Sequence, residues 1–177
     1  MLKKTYKTAQ IILLLLLVIA PIQGLHAGQS SSNYDMKNPH QNIEGVEGVM
    51  SGGQPSKADL KELQENAYTT VINLRGVGEF SGFDEQSEVT ALGMDYISIP
   101  ISSPGDMHLE NILMLDAAIK EAEGDVFIHC ASGNRVGAML ALRAYEVENI
   151  TSDQAMSLGI AAGMTGLQNT VKNMMVE

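Results

Sequence analysis

Apolar and polar positions fall into blocks with two different periods along the chain from about residue 45 onward. Short apolar runs rich in β-branched residues are typical of buried strands. They occur at 46–50, 69–74, 96–99 and 126–128. Longer segments with apolar residues three or four positions apart are typical of helices, and they lie at 56–67, 85–92, 109–119, 136–147, after 151–153 and at 165–175. This alternation predicts an α/β fold with a mostly parallel central sheet covered by helices on both faces.

The first 27 residues have the pattern of a secretory signal peptide and are set aside from the fold. Three lysines precede an unbroken apolar run at 11–20, and Ala27 offers a plausible cleavage point. The alternative is an uncleaved membrane anchor, although the run is shorter than the roughly 20 residues of a membrane span. We therefore predict a signal peptide (1–27), a flexible polar leader (28–44) and one domain (45–177). The protein is expected to be exported, either to the periplasm or outside the cell.

The charge balance of the exported part excludes some classes of partner. The whole chain has 11 basic and 21 acidic residues. Three of the basic ones lie in the signal peptide, which leaves 8 against 21 and a net charge of −13. A surface this acidic disfavours nucleic acid and anionic membranes as partners. A phosphate-bearing substrate must therefore be recognised by a local site.

The candidate chemistry lies in the segment 129–135, between the strand at 126–128 and the helix that follows. Open α/β sheets bind ligands at this carboxyl edge, and the free N–H groups of a helix start hold anions. Gly133 allows the backbone to approach a ligand closely, and Arg135 can fork onto two oxygens of an oxyanion. The segment is therefore expected to cradle an oxyanion.

Cys130 is the chain's single cysteine and lies in this segment. A helix N-terminus and a nearby cation favour the thiolate form of a cysteine. A thiolate can attack an electrophilic phosphorus or sulfur atom, and His129 could help to orient the loop and stabilise it. The alternative is that Cys130 is an inert core residue at the end of a strand.

The segment 129–135 resembles the phosphate-binding loop of the cysteine-dependent protein tyrosine and dual-specificity phosphatases. More closely, residues 45–175 are similar to the small bacterial phosphatase-like domain of beta-lactamase-hydrolase-like proteins. Three flanking stretches carry this resemblance: 51–55 with the helix after it, 70–75 followed by Glu79, and 155–163.

The resemblance implies a three-layer cysteine-phosphatase-like fold and hydrolysis of a phosphomonoester, such as a phosphotyrosine or phosphoserine protein. Cys130 would be the nucleophile that forms a thiophosphate, and Arg135 would bind two phosphate oxygens. The remaining oxygens would be held by backbone amides of the loop, those of Ala131, Ser132, Gly133, Asn134 and Arg135. The resemblance implies neither a metal nor an organic cofactor.

The loop departs from the tyrosine phosphatase pattern in two ways. Four residues separate Cys130 from Arg135, where that pattern has five, and the shorter length also resembles the rhodanese sulfurtransferases. Val136 stands where a Ser or Thr usually follows the Arg, and Ser132 is a candidate to replace that hydroxyl in part. A sulfurtransferase carrying a persulfide on Cys130 is therefore the alternative enzyme. A further alternative is a non-catalytic module that binds anions or phosphopeptides.

The general acid that protonates the leaving group is expected on a loop upstream of the cysteine. Asp106, in the Pro-Gly-Asp segment 104–106, is the best-placed candidate. The alternative for Asp106 is a simple helix N-cap. Asp95 is a weaker candidate because it precedes a strand.

Other polar residues are expected to have structural or solvent-exposed roles. Arg75 is predicted to pair with Glu79, with a place along the same sheet edge as the alternative. His108 is expected on the surface and His40 in the leader. Three acidic residues are assigned to a solvated helix face rather than to a metal site: Asp84, Glu85 and Glu88.

Overall fold

The computed structural model describes residues 39–175 of the chain, and the predicted signal peptide lies outside these residues. The strands of this part are β1 (Val49–Gly52), β2 (Tyr68–Asn73), β3 (Asp95–Ser98) and β4 (Asp125–His129). The helices are α1 (Lys57–Glu65), α2 (Glu85–Ala91), α3 (Leu109–Glu121), α4 (Asn134–Glu146), α5 (Ser152–Ala161) and α6 (Gln168–Met174), with a short 3₁₀ turn at Pro104–Asp106.

The four strands form one parallel sheet in the order β1-β4-β2-β3. β4 is central, and its last residue, His129, is in register with Gly52 of β1 and with Asn73 of β2. The carboxyl ends of these three strands therefore meet at one edge of the sheet. This position at the edge brings together residues that are far apart in sequence.

Both faces of the sheet are buried, so the central strands are continuously apolar rather than alternating. Val71 and Phe127 point into a core with residues of α1 and α2. Ile72 and Ile128 point into the larger core, which includes buried residues of α3, α4 and α5. The predicted fold class, an α/β sheet flanked by helices in three layers, is confirmed.

The described domain includes residues 39–44, which the sequence analysis assigned to the flexible leader. His40 forms an antiparallel bridge with Ser51 of β1. Ile43 is buried in the larger core. Ile43 is the buried apolar residue of an otherwise polar segment. A single apolar position forms no repeating pattern, so the sequence analysis could not identify it as part of the core.

α6 begins at Gln168 rather than at residue 165, because a side chain from another helix takes the amides before it. The Oδ1 atom of Asn134 accepts hydrogen bonds from the backbone N–H groups of Thr165, Gly166 and Leu167 at 2.8, 3.0 and 3.3 Å. These contacts fasten the start of α4 to the segment that precedes α6. They explain why the predicted helix at 165–175 starts three residues late.

Two negative findings apply to the described part of the chain. None of its helices is long and apolar enough to span a membrane. Among residues 39–175, the His, Cys, Asp and Glu side chains do not gather in groups of three or more that could hold a metal ion.

Candidate active site

The loop that follows β4 lies at the carboxyl edge of the sheet and leads directly into α4. Gly133 is the N-cap of α4 and has a φ of +86°, a left-handed conformation that costs other residues free energy because of their Cβ atom. α4 therefore begins at Asn134, two residues before the predicted start. The first amides of a helix have no acceptor within it, so this helix start is the part of the segment predicted to bind an anion.

Cys130 lies under this helix start and is 1% exposed. Its Sγ atom accepts a hydrogen bond from the backbone N–H of Gly133 at 3.2 Å. An N–H donor and the positive end of the helix dipole stabilise negative charge on sulfur. Cys130 belongs to the apolar core, yet its sulfur receives the polar contact that a thiolate needs.

The end of β1 clamps the loop from one side. The backbone N–H of Cys130 donates to the carbonyl of Gly52 at 3.3 Å, and that of Gln54 donates to the carbonyl of Ala131 at 3.4 Å. Gly53 forms an isolated bridge with Ser132. A Cβ atom on Gly52 would lie 3.0 Å from the ring of Phe127. The segment 51–55, one of the stretches that carry the family resemblance, thus supports the loop, since glycine lets this strand end lie against β4.

Arg135 is held by a carboxylate that the sequence analysis did not assign to it. Its Nη1 donates to Oε2 of Glu79 at 2.7 Å, and its Nη2 donates to Oε1 at 2.5 Å. Nη1 also donates to the carbonyl of Ile101 at 2.8 Å. The hydrogen bond with Glu79 raises the pKa of Arg135, burial opposes this rise, and the neighbouring Cys130 side chain adds to it.

Glu79 is fully ionised at neutral pH. The hydrogen bond from Arg135 lowers the pKa of its carboxyl from 4.5 to about 2, and the backbone N–H of Gly76 helps while burial opposes the shift. Arg75 also contacts this residue: its Nη2 donates to the Glu79 carbonyl at 2.5 Å, and its Nε lies 3.5 Å from Oε1. The predicted pairing of Arg75 with Glu79 is confirmed.

His129 is completely buried beneath the loop. Its Nε2 atom lies 2.9 Å from Oε1 of Glu85, and its Nδ1 lies 3.3 Å from the carbonyl oxygen of Cys130. Glu85 is 6% exposed, so its assignment to a solvated helix face was wrong. It is the first residue of α2 and points inward because Gln54 and Asn73 both donate to its carboxylate. Asp84 is exposed and Glu88 is partly exposed.

Asp106 lies on the segment that borders Arg135, five residues after Ile101. Its Oδ2 atom accepts the backbone N–H groups of Ser102 and Ser103 at 2.9 and 2.8 Å and the Ser103 hydroxyl at 3.1 Å. The hydrogen bonds from Ser103 lower the pKa of this carboxyl. Asp106 therefore stabilises its own turn as a carboxylate, but it is not the helix N-cap offered as the alternative to a general acid, since Ser103 is the N-cap of this turn and His108 that of α3.

The other residues of the predicted phosphate-binding loop differ in how exposed they are. Ser132 is exposed at the rim of the loop, and Ala131 and Asn134 are partly exposed. The Asn134 side chain is turned away to the segment before α6, so only its backbone amide is offered to the loop. Val136 is buried. Asp95 and His108 are exposed, as expected of residues outside the site.

A cleft of about 360 Å³ opens beside the same edge of the sheet. Arg75 lies on its wall, with the guanidinium carbon 5.1 Å from the centre of the Phe80 ring. Phe83 and Tyr96 also line the cleft, and burial raises the pKa of the Tyr96 hydroxyl. The cleft is large enough for one aromatic ring and was not predicted, because its wall residues come from three separate segments.

Comparisons with known proteins agree with this architecture. The model of the family "Beta-lactamase hydrolase-like protein, phosphatase-like domain" matches residues 47–146. A beta-lactamase hydrolase-like protein of Agrobacterium fabrum is 37% identical over 94 residues, which are 51% of this chain and 22% of that protein. The chain thus matches less than a quarter of the length of this relative.

Two solved structures have a similar fold. A putative phosphatase of Neisseria meningitidis superposes with a TM-score of 0.59 and 18% identity, over 71% of this chain and 92% of that one. A putative phosphatase of Shewanella putrefaciens gives a TM-score of 0.59 and 22% identity, over 80% of this chain and 92% of that one. At these identities the likeness shows the fold.

Proposed function

Because the chain belongs to the phosphatase-like domain family of beta-lactamase hydrolase-like proteins, we propose that it hydrolyses a phosphomonoester through a thiophosphate on Cys130. The observation that carries the proposal is the hydrogen bond from the Gly133 N–H to Sγ of Cys130. A sulfur held in this way beneath a helix start is stabilised as the thiolate nucleophile. The same amides can hold the oxygens of the phosphoryl group that it attacks.

The proposed reaction has two steps. The Cys130 thiolate attacks phosphorus, the S–P bond forms, and the bond to the leaving oxygen breaks while that oxygen takes up a proton. A water molecule then attacks phosphorus, the S–P bond breaks, and inorganic phosphate leaves with the thiolate restored. Arg135 supplies positive charge to the phosphoryl oxygens, with Glu79 holding its guanidinium in place.

Asp106 is the proposed proton donor to the leaving oxygen. It caps Ser102 and Ser103 as a carboxylate in the free protein, so it has to take up a proton and leave these amides when substrate binds. The 3₁₀ turn at Pro104–Asp106 and the adjoining residues would open in that step. After donating, the carboxylate would accept the proton of the attacking water.

The aromatic cleft beside Arg75 favours an aryl phosphate as the first substrate to test. Phe80, Phe83 and Tyr96 offer ring faces and edges to a phenyl group. Phosphotyrosine carries such a ring, and a phosphotyrosine peptide is therefore the substrate class that we propose. The acidic balance of the chain supports a neutral or basic peptide and argues against nucleic acid.

The short loop supports a second candidate, sulfur transfer. Four residues separate Cys130 from Arg135, which leaves a smaller cradle than the five of the tyrosine phosphatase pattern. In this reaction the thiolate attacks the sulfane sulfur of thiosulfate, the S–S bond to Cys130 forms, and sulfite leaves. The persulfide then gives that sulfur to cyanide, which forms thiocyanate and restores the thiolate.

We also propose that the protein acts outside the cytoplasm, as the predicted signal peptide implies. N-terminal sequencing of the protein recovered from an export-competent bacterium tests this proposal. Cleavage after Ala27 would give a mature chain that starts at Gly28. A chain that retains residues 1–27 and stays with the membrane would favour the anchor instead.

One parallel assay separates the enzymatic candidates. The full chain is kept reduced and is assayed for phosphate release from an aryl phosphate and for thiocyanate from thiosulfate and cyanide, with Cys130→Ser as the control. Phosphate release that is lost in the variant supports the phosphatase. Thiocyanate alone supports sulfur transfer, and an anion that binds without either product supports a binding module.

A further inference from the structure

A continuous chain of polar contacts connects the two ends of the loop through residues that are not part of it. It begins at His129, directly before the nucleophile, and it ends at Arg135. Between them it passes through Glu85, Gln54, Arg75 and Glu79. These four residues come from the segment after β1, the segment after β2 and the first position of α2, all near the carboxyl edge of the sheet.

The first contact of this chain constrains the hydrogens of the His129 ring. A carbonyl oxygen can only accept, so favourable contact of Nδ1 with the Cys130 carbonyl at 3.3 Å requires a hydrogen on Nδ1. The Glu85 carboxylate also accepts, so favourable contact of Nε2 at 2.9 Å requires a hydrogen on Nε2. Both contacts are attractive together when the ring carries both hydrogens and a positive charge.

The contact between His129 and Glu85 is a close approach without hydrogen-bond alignment, and it becomes an attraction between charges when the ring carries both hydrogens. Nε2 lies close to the Glu85 oxygen, yet its N–H does not point at it with hydrogen-bond geometry. Charge attraction depends weakly on this angle and is strong in a buried site. The ring of Phe127 stacks on the His129 ring, with 5.6 Å between the ring centres, and further fixes its orientation.

The Glu85 carboxylate is itself held in place. Gln54 donates its Nε2 to Oε1 at 3.2 Å, and Asn73 donates its Nδ2 to Oε2 at 2.9 Å. A buried carboxylate is tolerated when its oxygens are paired in this way. The position of Glu85 is therefore set by the segment after β1 and by the end of β2, and it can hold the imidazole against the first residue of the loop.

The side-chain amides of Gln54 and Asn73 also contact Arg75. The Oε1 atom of Gln54 accepts from Nη1 of Arg75 at 2.8 Å, and Oδ1 of Asn73 accepts from the Arg75 backbone N–H at 2.7 Å. Arg75 then holds the Glu79 carbonyl, and the Glu79 carboxylate holds Arg135. Glu85 thus anchors His129 directly and helps to anchor Arg135 at a distance.

We propose that Glu85 is a positioning residue, which fixes His129 as a buried imidazolium under Cys130 and thereby sets the reactivity of the nucleophile. This inference rests on the proposed function, in which Cys130 is the nucleophile. Glu85 acts through His129 rather than by touching the substrate. It supplies the negative charge that lets the imidazolium stay buried, and the imidazolium acts on Cys130 through the backbone carbonyl that its Nδ1 contacts.

The test compares Glu85→Gln with Glu88→Gln in the full chain. Both variants exchange a carboxylate for an amide on α2, but Glu88 faces solvent and pairs with Lys57. Because Cys130 is the chain's single cysteine, its rate of alkylation by iodoacetamide reports on this thiol alone. Glu85→Gln is expected to slow alkylation and to lower kcat by roughly tenfold or more with little change in KM. Glu88→Gln is expected to leave both rates unchanged.

A purely structural role for Glu85 would give a different result. In that case Glu85→Gln would lower the melting temperature and leave the alkylation rate of the folded protein unchanged, which overturns the proposal. Glu85→Asp keeps the charge on a shorter side chain and is expected to recover part of the alkylation rate. Slow alkylation of Glu85→Gln, in a protein whose wild type releases no phosphate, would uphold the positioning role and contradict the proposed phosphatase.

A second measurement uses the wild-type protein, so its result does not depend on whether a variant folds. The full chain is labelled with ¹⁵N-histidine, and the ring nitrogen signals are recorded at neutral pH. One buried histidine is expected to show hydrogens on both ring nitrogens. A neutral ring at His129, with one bare nitrogen, would overturn the proposal.

Discussion

Arg135 and Glu79 form a bidentate ion pair, in which the two Nη atoms of the guanidinium donate to the two carboxylate oxygens at 2.7 and 2.5 Å. The residues lie 56 positions apart in the chain. The pair aligns the planar guanidinium at the mouth of the loop before any anion arrives. The same guanidinium also contacts the carbonyl of Ile101 and the side chain of Cys130, which places it beside the proposed nucleophile.

Replacing Glu79 with glutamine is expected to lower kcat/KM for an aryl phosphate by about tenfold or more. The amide has one acceptor oxygen in place of two, so it cannot hold both Nη atoms and the guanidinium loses its fixed orientation. Steady-state kinetics on the full chain measure this effect. Glu65→Gln, which changes an exposed acidic residue of α1, is the control and should match the wild type. A Glu79→Gln protein with equal or higher kcat/KM would show that Glu79 obstructs the site instead.

The same pair predicts how stability changes with acid. The pKa of Glu79 falls from 4.5 to about 2 on folding, so its contribution to stability is fully present above about pH 5 and is lost as the pH falls toward 2. The carboxylate is partly exposed, and solvent screening reduces the contribution to roughly 1–2 kcal/mol. Denaturant unfolding at a series of pH values should show a shallower decline between pH 5 and 2 in Glu79→Gln. Parallel declines in the two proteins would contradict the assignment.

Asp106→Asn distinguishes the general acid from the cap. An acid is needed most when the leaving group is a poor one, so turnover of an alkyl phosphate should fall by about 10² or more. Turnover of a nitrophenyl phosphate, whose leaving group needs no proton, should fall much less. Asp95→Asn, at an exposed position of β3, is the control. Equal small losses with both substrates would leave Asp106 as the cap of its turn and remove it from the mechanism.

Gly133→Ala tests the contact between the loop and the sulfur. The φ of +86° makes alanine strained at this position by about 1–2 kcal/mol, and relief of that strain would move the N–H that donates to Cys130. Gly93→Ala is a matched control, since Gly93 has a φ of +79° with open space around it. Both variants should lose similar stability in denaturant unfolding. Alkylation of Cys130 should slow in Gly133→Ala alone. Equal alkylation rates in both variants would show that the Gly133 N–H does not set the reactivity of Cys130.

The features predicted from sequence are those encoded by adjacent residues. The apolar run at 126–128 and the glycine at position 133 specify a strand, a turn and a helix within a few residues of each other. The placement of Cys130 at the sheet edge followed from that local order, and so did the fold class. The parallel order of strands also predicted that Arg75 could lie along the same edge.

The interactions that organise the site were missed because each joins distant segments. Glu79 and Glu85 both lie in a polar stretch that is typical of a solvent-exposed loop and helix. Nothing local shows that one carboxylate pairs with Arg135 and the other with His129. The usable signal was the carboxyl edge itself: polar residues after β2 meet those after β4 in any parallel sheet, so acidic residues there were candidates for the two cations of the loop.

The most direct test of the proposed mechanism is to look for phosphate on Cys130 during turnover. The full chain is mixed with nitrophenyl phosphate, quenched in acid and analysed by peptide mass spectrometry, with Cys130→Ser as the control. The same reaction is run with Asp106→Asn, in which loss of the base should slow the second step and let the intermediate accumulate. We expect a phosphoryl group on the peptide that contains Cys130. Phosphate release without that adduct, or an adduct of sulfane sulfur from thiosulfate in a protein that releases no phosphate, would contradict the mechanism.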